Sequence, residues 1–182
     1  MNNSISEYNK KRAKLRRYEK LMLTVNDLLE KYIGGQIFFT ELDKAVKFDE
    51  DILEDLIDAV HEKWGTDNLV IVASGEIGLA FHNFGLPVDI LVPGGLRHDP
   101  SKINLAPYRA SIVGKDVVFV DDSYFSGKTL AVVHEEIQSL GGHMLGAYVA
   151  YDGSKDRDPT VFSLYRYYDY FDVLGRRKGS EE

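Results

Sequence analysis

The stretch VVFVDDSYFSGKTL, residues 117–130, runs four apolar residues into two aspartates and then into a Ser-Gly-Lys-Thr turn. Val117 to Val120 lack the alternation of a half-exposed strand, and a continuous apolar run is what a strand covered on both faces requires. The turn and the apolar spacing beyond it predict a helix over about 127–140. A nucleoside-triphosphate loop needs GxxxxGK[ST], with a glycine five positions before the Gly-Lys pair so that the backbone can wrap the phosphates. Asp122 occupies that position, and a carboxylate beside triphosphate oxygens is electrostatically wrong. The triphosphate reading fails despite the Gly-Lys-Thr.

Working outward, LVIVA at 69–73, VDILV at 88–92 and MLGAYVAY at 144–151 repeat the doubly covered strand pattern. Helical spacing falls between them at about 76–84 and 127–140. The order strand, helix, strand, long loop, strand, helix, strand predicts an α/β domain with a parallel sheet. In such sheets ligands bind at the carboxyl ends of the strands, where the acidic pair stands.

Upstream, residues 6–33 carry Leu15, Tyr18, Met22, Val25, Leu29 and Tyr32 at spacings of three and four, a helical seam that Gly34-Gly35 stops. Residues 1–33 hold eight basic and four acidic side chains, whereas the whole chain has net charge −7. That polarity suits a solvated helix whose seam packs on the body or on a second copy, making a homo-oligomer. It also suits a nucleic acid or acidic protein partner contacted through residues 10–33. A second helix within 36–64 presents Ile52, Leu53, Leu56, Ile57, Val60 and Trp64 as one stripe, with Asp49, Glu50 and Asp51 in its first turn. It reads as scaffold, and His61 as a packing or surface residue. The expected organisation is a helical extension over 1–35 and one domain over 36–182.

The chain has no cysteine, which excludes disulfides and thiolate metal sites. No apolar run approaches the roughly 18 residues of a membrane span. The amino-terminal residues lack the apolar stretch of a secretory signal, so the expected location is cytoplasmic, with no membrane partner.

Two carboxylates at a strand end, followed by a small-residue turn opening a helix, suit a ribose 5-phosphate. Carboxylates accept hydrogen bonds from vicinal hydroxyls, and a helix amino terminus stabilises a phosphate monoester. GKDVVFVDDSYFSGKTL, residues 114–130, resembles the phosphoribosyl pyrophosphate (PRPP) signature of type I phosphoribosyltransferases. The order of elements over 69–151 resembles that family's core as well. The resemblance implies a phosphoribosyltransferase-type, Rossmann-like parallel sheet behind the helical extension.

It further implies that Asp121 and Asp122 face the ribose hydroxyls, and that Ser126, Gly127, Lys128 and Thr129 cradle the 5-phosphate. Ser74, Gly75 and Glu76, in ASGEIG at 73–78, match the family's pyrophosphate loop. The segment 94–110 takes the place of its mobile lid and offers Arg97, Lys102 and Arg109 as candidate catalytic cations, with His98 a weak acid–base candidate. The implied reaction moves the phosphoribosyl group of PRPP to a nitrogen, usually of a nucleobase, and releases pyrophosphate. The implied cofactor is Mg²⁺, held chiefly by ligand oxygens, with Asp121 and Asp122 reaching it through water and no direct protein ligand expected.

Two residues depart from the family pattern. The purine-salvage branch places a proton-handling aspartate just before the turn, where this chain has Phe125. Glu76 puts a carboxylate in the pyrophosphate loop. Both favour the alternative of a catalytically weak PRPP- or nucleotide-binding regulator or assembly protein. Acceptor contacts are sought at Phe125, in 36–48 with Phe38 and Phe39, and in FSLYRYYDYFDVLG at 162–175, where Tyr165, Tyr167, Tyr168, Tyr170 and Phe171 offer faces to a base. That aromatic segment equally suits a strand or hairpin sealing the sheet edge.

Overall fold

A computed structural model describes residues 50–73, 75–92 and 102–170, apart from side-chain detail at 75, 76 and 170. The expected 6–33 helix, the boundary at 35, and Phe38, Phe39, Arg97, His98 and Phe171 lie outside the described residues.

The sheet expected from the buried apolar runs is present: five parallel strands in the order β2-β1-β3-β4-β5. The strands are β1 (Leu69–Ala73), β2 (Ile90–Leu91), β3 (Asp116–Tyr124), β4 (His143–Asp152) and β5 (Val161–Arg166). Helices α1 (Glu50–Trp64) and α2 (Gly75–Asn83) cover one face. A short 3-10 turn (Ala106–Tyr108) leads into α3 (Arg109–Ile112), which shares the other face with α4 (Lys128–Ser139). A four-residue helix, α5 (Tyr167–Tyr170), follows β5.

Two apolar clusters hold the layers together. Ile52, Leu53, Leu56, Ile57 and Val60 of α1 and Ile77, Ala80 and Phe81 of α2 meet Ile71, Val118 and Val120. On the opposite face Ile103, Leu105, Ile112, Val133 and Ile137 meet Val70, Val72, Val117 and Phe119. Alternate residues of β1 and β3 thus serve opposite clusters, which is why both strands read as unbroken apolar runs. The α1 stripe is buried as its spacing implies, except that Trp64 is only partly covered.

Two segments differ from expectation for visible reasons. Of 88–92 only Ile90–Leu91 is strand, because the Asp89 carboxylate accepts the Ile71 N–H at 2.8 Å, taking the place of a ladder carbonyl. The latter part of the expected loop at 94–110 is anchored: Ile103 and Leu105 are buried, and the Leu105 N–H donates to Glu136 of α4 at 3.0 Å.

Parallel neighbours are usually joined through a helix, yet β4 reaches β5 through residues 153–160 alone. The crossing brings the Thr160 carbonyl to the Ala147 N–H of β4 at 2.9 Å. Gly146 makes room for it. Its φ is 149°, and a Cβ there would lie 2.5 Å from the Thr160 oxygen. Gly146→Ala is therefore expected to cost at least about 2 kcal/mol through backbone strain and overpacking, read by chemical denaturation. A change within about 0.5 kcal/mol, the scatter of an ordinary surface substitution, would contradict this packing.

Candidate functional site

The connection from β1 runs to β2 on one side and that from β3 runs to β4 on the other, so the topological switch point lies between the carboxyl ends of β1 and β3. Ala73 pairs with Val120, which sets Asp121 one residue beyond the end of β1. The switch point gathers the start of α2, the acidic pair and the turn into α4.

The acidic pair lies within β3, not after it, because pairing with β4 continues to Tyr124 opposite Asp152. Alternation then sends the two carboxylates to opposite faces. Asp121 follows Val117 and Phe119 toward α4 and is half-buried. Its Oδ1 accepts the Asp122 N–H at 2.9 Å. Asp122 follows Val118 and Val120 toward α1 and α2 and is 6% exposed. The Ser123 hydroxyl donates to its Oδ1 at 3.1 Å. Asp121 is thus the more accessible of the two.

The turn expected to hold a phosphate opens α4 without a side-chain cap. Gly127 is the N-cap of α4, with φ 71° and ψ 2°, and so offers no side-chain oxygen to the first-turn amides. The first turn contains no acidic residue. Ser126 and Lys128 are exposed and Thr129 is half-buried, so the hydroxyls and the ammonium stand at the rim of the same amides. Such an end presents N–H groups and a partial positive charge to an anion.

At the end of β1, Gly75 and Glu76 begin α2, whereas Ser74 lies outside the described residues. Gly78 is a packing glycine: a Cβ there would lie 2.5 Å from Leu91 Cδ2, so it lets α2 approach β2. Lys102 is exposed beside the buried Ile103. Arg109 is exposed one helical turn before Ile112, which packs on Gly142 at the amino end of β4. That places Arg109 toward the far end of the sheet from Asp121.

The aromatic residues divide between core and rim. Phe125 packs against the α1-side cluster with its ring 5.6 Å from Tyr151, and Gly153 lies beneath it, where a Cβ would strike the Phe125 ring. Tyr151 stacks on Tyr165 at 5.5 Å, and both are buried. Tyr165 is therefore part of the edge-strand packing. Tyr168 is half-buried, edge-on to Tyr167 at 5.1 Å and 5.7 Å from the Arg166 guanidinium. The side chain of Tyr170 lies outside the described residues.

Two polar networks at this end of the sheet have no counterpart in the sequence reading. Arg166 Nε donates to Asp152 Oδ2 at 3.1 Å, and its Nη2 to the Ser154 and Lys155 carbonyls at 3.2 and 3.3 Å. Ser154 gives its N–H and hydroxyl to Asp152 Oδ1. Asp152-Gly153-Ser154 is a local turn signal in the sequence. In the second network the Tyr124 hydroxyl donates to Asp158 Oδ2 at 2.9 Å, while Asp158 Oδ1 accepts the Thr160 N–H and hydroxyl at 2.9 and 2.7 Å. No local signal links residues 124 and 158. Asp158 and Gly127 also line a groove of about 220 Å³ between α4 and the crossing segment, floored by Leu130, Ala131 and Met144.

No family model and no curated protein matches the sequence. Among solved structures, the hypoxanthine phosphoribosyltransferase of Staphylococcus aureus is similar at 16% identity and TM-score 0.44, over 64% of this chain and 71% of that one. A hypoxanthine-guanine phosphoribosyltransferase of Bacillus anthracis gives 14% identity and TM-score 0.45, over 70% and 86%. The adenine phosphoribosyltransferase of Rhodothermus marinus gives 17% and 0.43, over 67% and 83%. At these values the likeness is one of shape, and chemistry has to come from the side chains at the strand ends.

Among the described residues no group of three or more His, Asp or Glu side chains is arranged to hold a metal, and no helix is long and apolar enough to cross a membrane. The oxygen donors at Asp121 and Asp122 are of the class that suits a hard cation, but strand alternation sets them on opposite faces, so the two do not converge on one point.

The Tyr124–Asp158 pair titrates in a way that can be checked. Burial, then the hydrogen bond to Asp158 and the charges of Asp158 and Asp152, push the Tyr124 phenol up to about 12. Burial also raises the Asp158 carboxyl, but hydrogen bonds from Thr160 and Tyr124 outweigh it and leave the group below its ordinary 3.8. A raised phenol contributes stability that is full below pH 10 and is lost as pH rises through about 12. Thermal unfolding from pH 9 to 12 should show the wild type losing stability that Tyr124→Phe retains. Parallel curves for the two proteins would contradict the assignment.

Proposed function

We propose that the protein is a PRPP-binding phosphoribosyltransferase that acts on a nitrogenous acceptor, with a nucleobase the expected class. The reading is carried by one observation: a glycine-capped helix, with no acidic residue in its first turn, opens at the switch point of a parallel sheet with its cap six residues after a half-buried aspartate. That pairing offers an anion site and a hydroxyl acceptor beside the same strand end, the two functions that a sugar phosphate calls for.

In this reading the amides of the first turn of α4, with Ser126, Lys128 and Thr129, hold the 5-phosphate. Asp121 accepts hydrogen bonds from the ribose hydroxyls, and Asp122 fixes the strand end through Ser123. The start of α2 offers its first-turn amides to the diphosphate. The bond from the ribose anomeric carbon to diphosphate breaks, and a bond from that carbon to the acceptor nitrogen forms. The protein's part is to hold the two reactants in line and to stabilise the departing charge. Bound Mg²⁺ would neutralise diphosphate oxygens, and Asp121 would reach it through water, whereas Asp122 is nearly buried on the other face of the strand.

A second reading, a PRPP or nucleotide binder without transfer, draws on Phe125. Its ring is committed to Tyr151 and Gly153, so the position just before the turn holds no proton acceptor. Both readings require the same sugar-phosphate site.

Calorimetry with PRPP and Mg²⁺ separates them when followed by pyrophosphate-release assays over a panel of bases. Binding with release supports the transferase, and binding without release across the panel supports the second reading. Asp121→Asn should weaken PRPP binding at least about tenfold, since hydrogen bonds to a charged acceptor contribute about 1.5–3 kcal/mol. Unchanged affinity in that variant would place the ligand elsewhere.

A further inference from the structure

We infer that Tyr124, held by Asp158, is a positioning residue that locks the turn at the start of α4 into the shape that receives a phosphate. The inference rests on the reading of that turn as the 5-phosphate site, and it adds a residue pair that the PRPP-like signature does not contain.

Gly127 is left-handed, so the backbone of the turn has the latitude that a glycine allows. The Tyr124 ring closes off that freedom. It lies so close to Gly127 that a Cβ there would stand 2.8 Å from the Tyr124 oxygen and 3.3 Å from its Cε2 and Cζ. The residue is held at both ends. Its backbone carbonyl accepts the Gly153 N–H at 2.9 Å, and its ring hydroxyl donates to Asp158 at 2.9 Å. Tyr124 therefore touches both ends of the helix-less crossing between β4 and β5.

Asp158 is in turn immobilised. Its second oxygen takes two hydrogen bonds from Thr160, whose carbonyl is tied to Ala147 of β4. The chain of contacts runs from the sheet backbone through Thr160, Asp158 and the Tyr124 ring to the first turn of α4. A phosphate site made of backbone amides binds well only if the amides already converge, because ordering them on binding consumes affinity. The contact with Gly127 supplies that order in the free protein. The hydroxyl is needed because its bond to Asp158 is what ties the ring to the crossing segment.

The test combines hydrogen exchange of the ligand-free protein with calorimetry against ribose 5-phosphate, for wild type, Tyr124→Phe and Asp158→Asn. Both variants should speed exchange of the Ala131 amide, which closes the first turn of α4 onto the Gly127 carbonyl, about tenfold, and by more than any change at the 69–73 and 117–120 amides. Both should bind ribose 5-phosphate about tenfold more weakly, the loss of one hydrogen bond to a charged group. Asp116→Asn, at the far end of β3 beside His143, is the control and should alter neither readout. Exchange at Ala131 that changes no more than at 69–73 and 117–120 in both variants overturns the inference whatever the ligand does. Faster exchange with undiminished affinity shows a structural brace only and also overturns it. Faster exchange in a protein whose wild type binds no phosphate ester removes the phosphate-site reading and, with it, the positioning role.

Discussion

A strand covered on both faces cannot carry a charge until it emerges, and that constraint governs this molecule. β3 is buried from Val117 to Val120, between α1 and α2 on one side and α3 and α4 on the other. Placing an unpaired carboxylate in that stretch would carry a heavy desolvation penalty. The first position able to show charge is Asp121, which is also one residue beyond the end of β1. The site is located by the limit of the core as much as by the residues in it.

From that point the two faces diverge. Asp122 remains on the covered side and is nearly buried, while Asp121, on the α4 side by strand alternation, is half-buried. A pair that looks symmetrical in the sequence becomes one accessible acceptor and one internal one. The crossing from β4 to β5 then closes the site from the side. It lacks the helix that usually joins parallel strands, and polar ties replace it: Asp152 with Ser154 and Arg166, Asp158 with Thr160 and Tyr124. Arg166 and Asp152 are both largely buried, and removing either would strand the other's charge.

Much of this was legible in the sequence because the signals are local. The run at 69–73 coincides with β1, the stripe at 52–60 is the buried face of α1, and Gly127 marks the start of α4. The short length of β2 was not legible, since a side chain, Asp89, completes the ladder there. Nor was the role of the aromatic segment settled: Tyr165 is consumed by stacking on Tyr151, and Phe125 by packing over Gly153. Those contacts join residues far apart in the chain. The Tyr124–Asp158 bond, 34 residues apart, had no signal at all, because a tyrosine after an acidic pair and an aspartate before a proline each read as ordinary turn chemistry.

The central claim is that the amino terminus of α4 receives the phosphate of a ribose 5-phosphate. Amide chemical shifts measured while the protein is titrated with ribose 5-phosphate, and separately with ribose, test it most directly. The account predicts that Lys128, Thr129 and Leu130 shift with the phosphate ester and stay still with ribose. Shifts confined to the groove at Met144 and Thr160, or none at the first turn of α4, would contradict it.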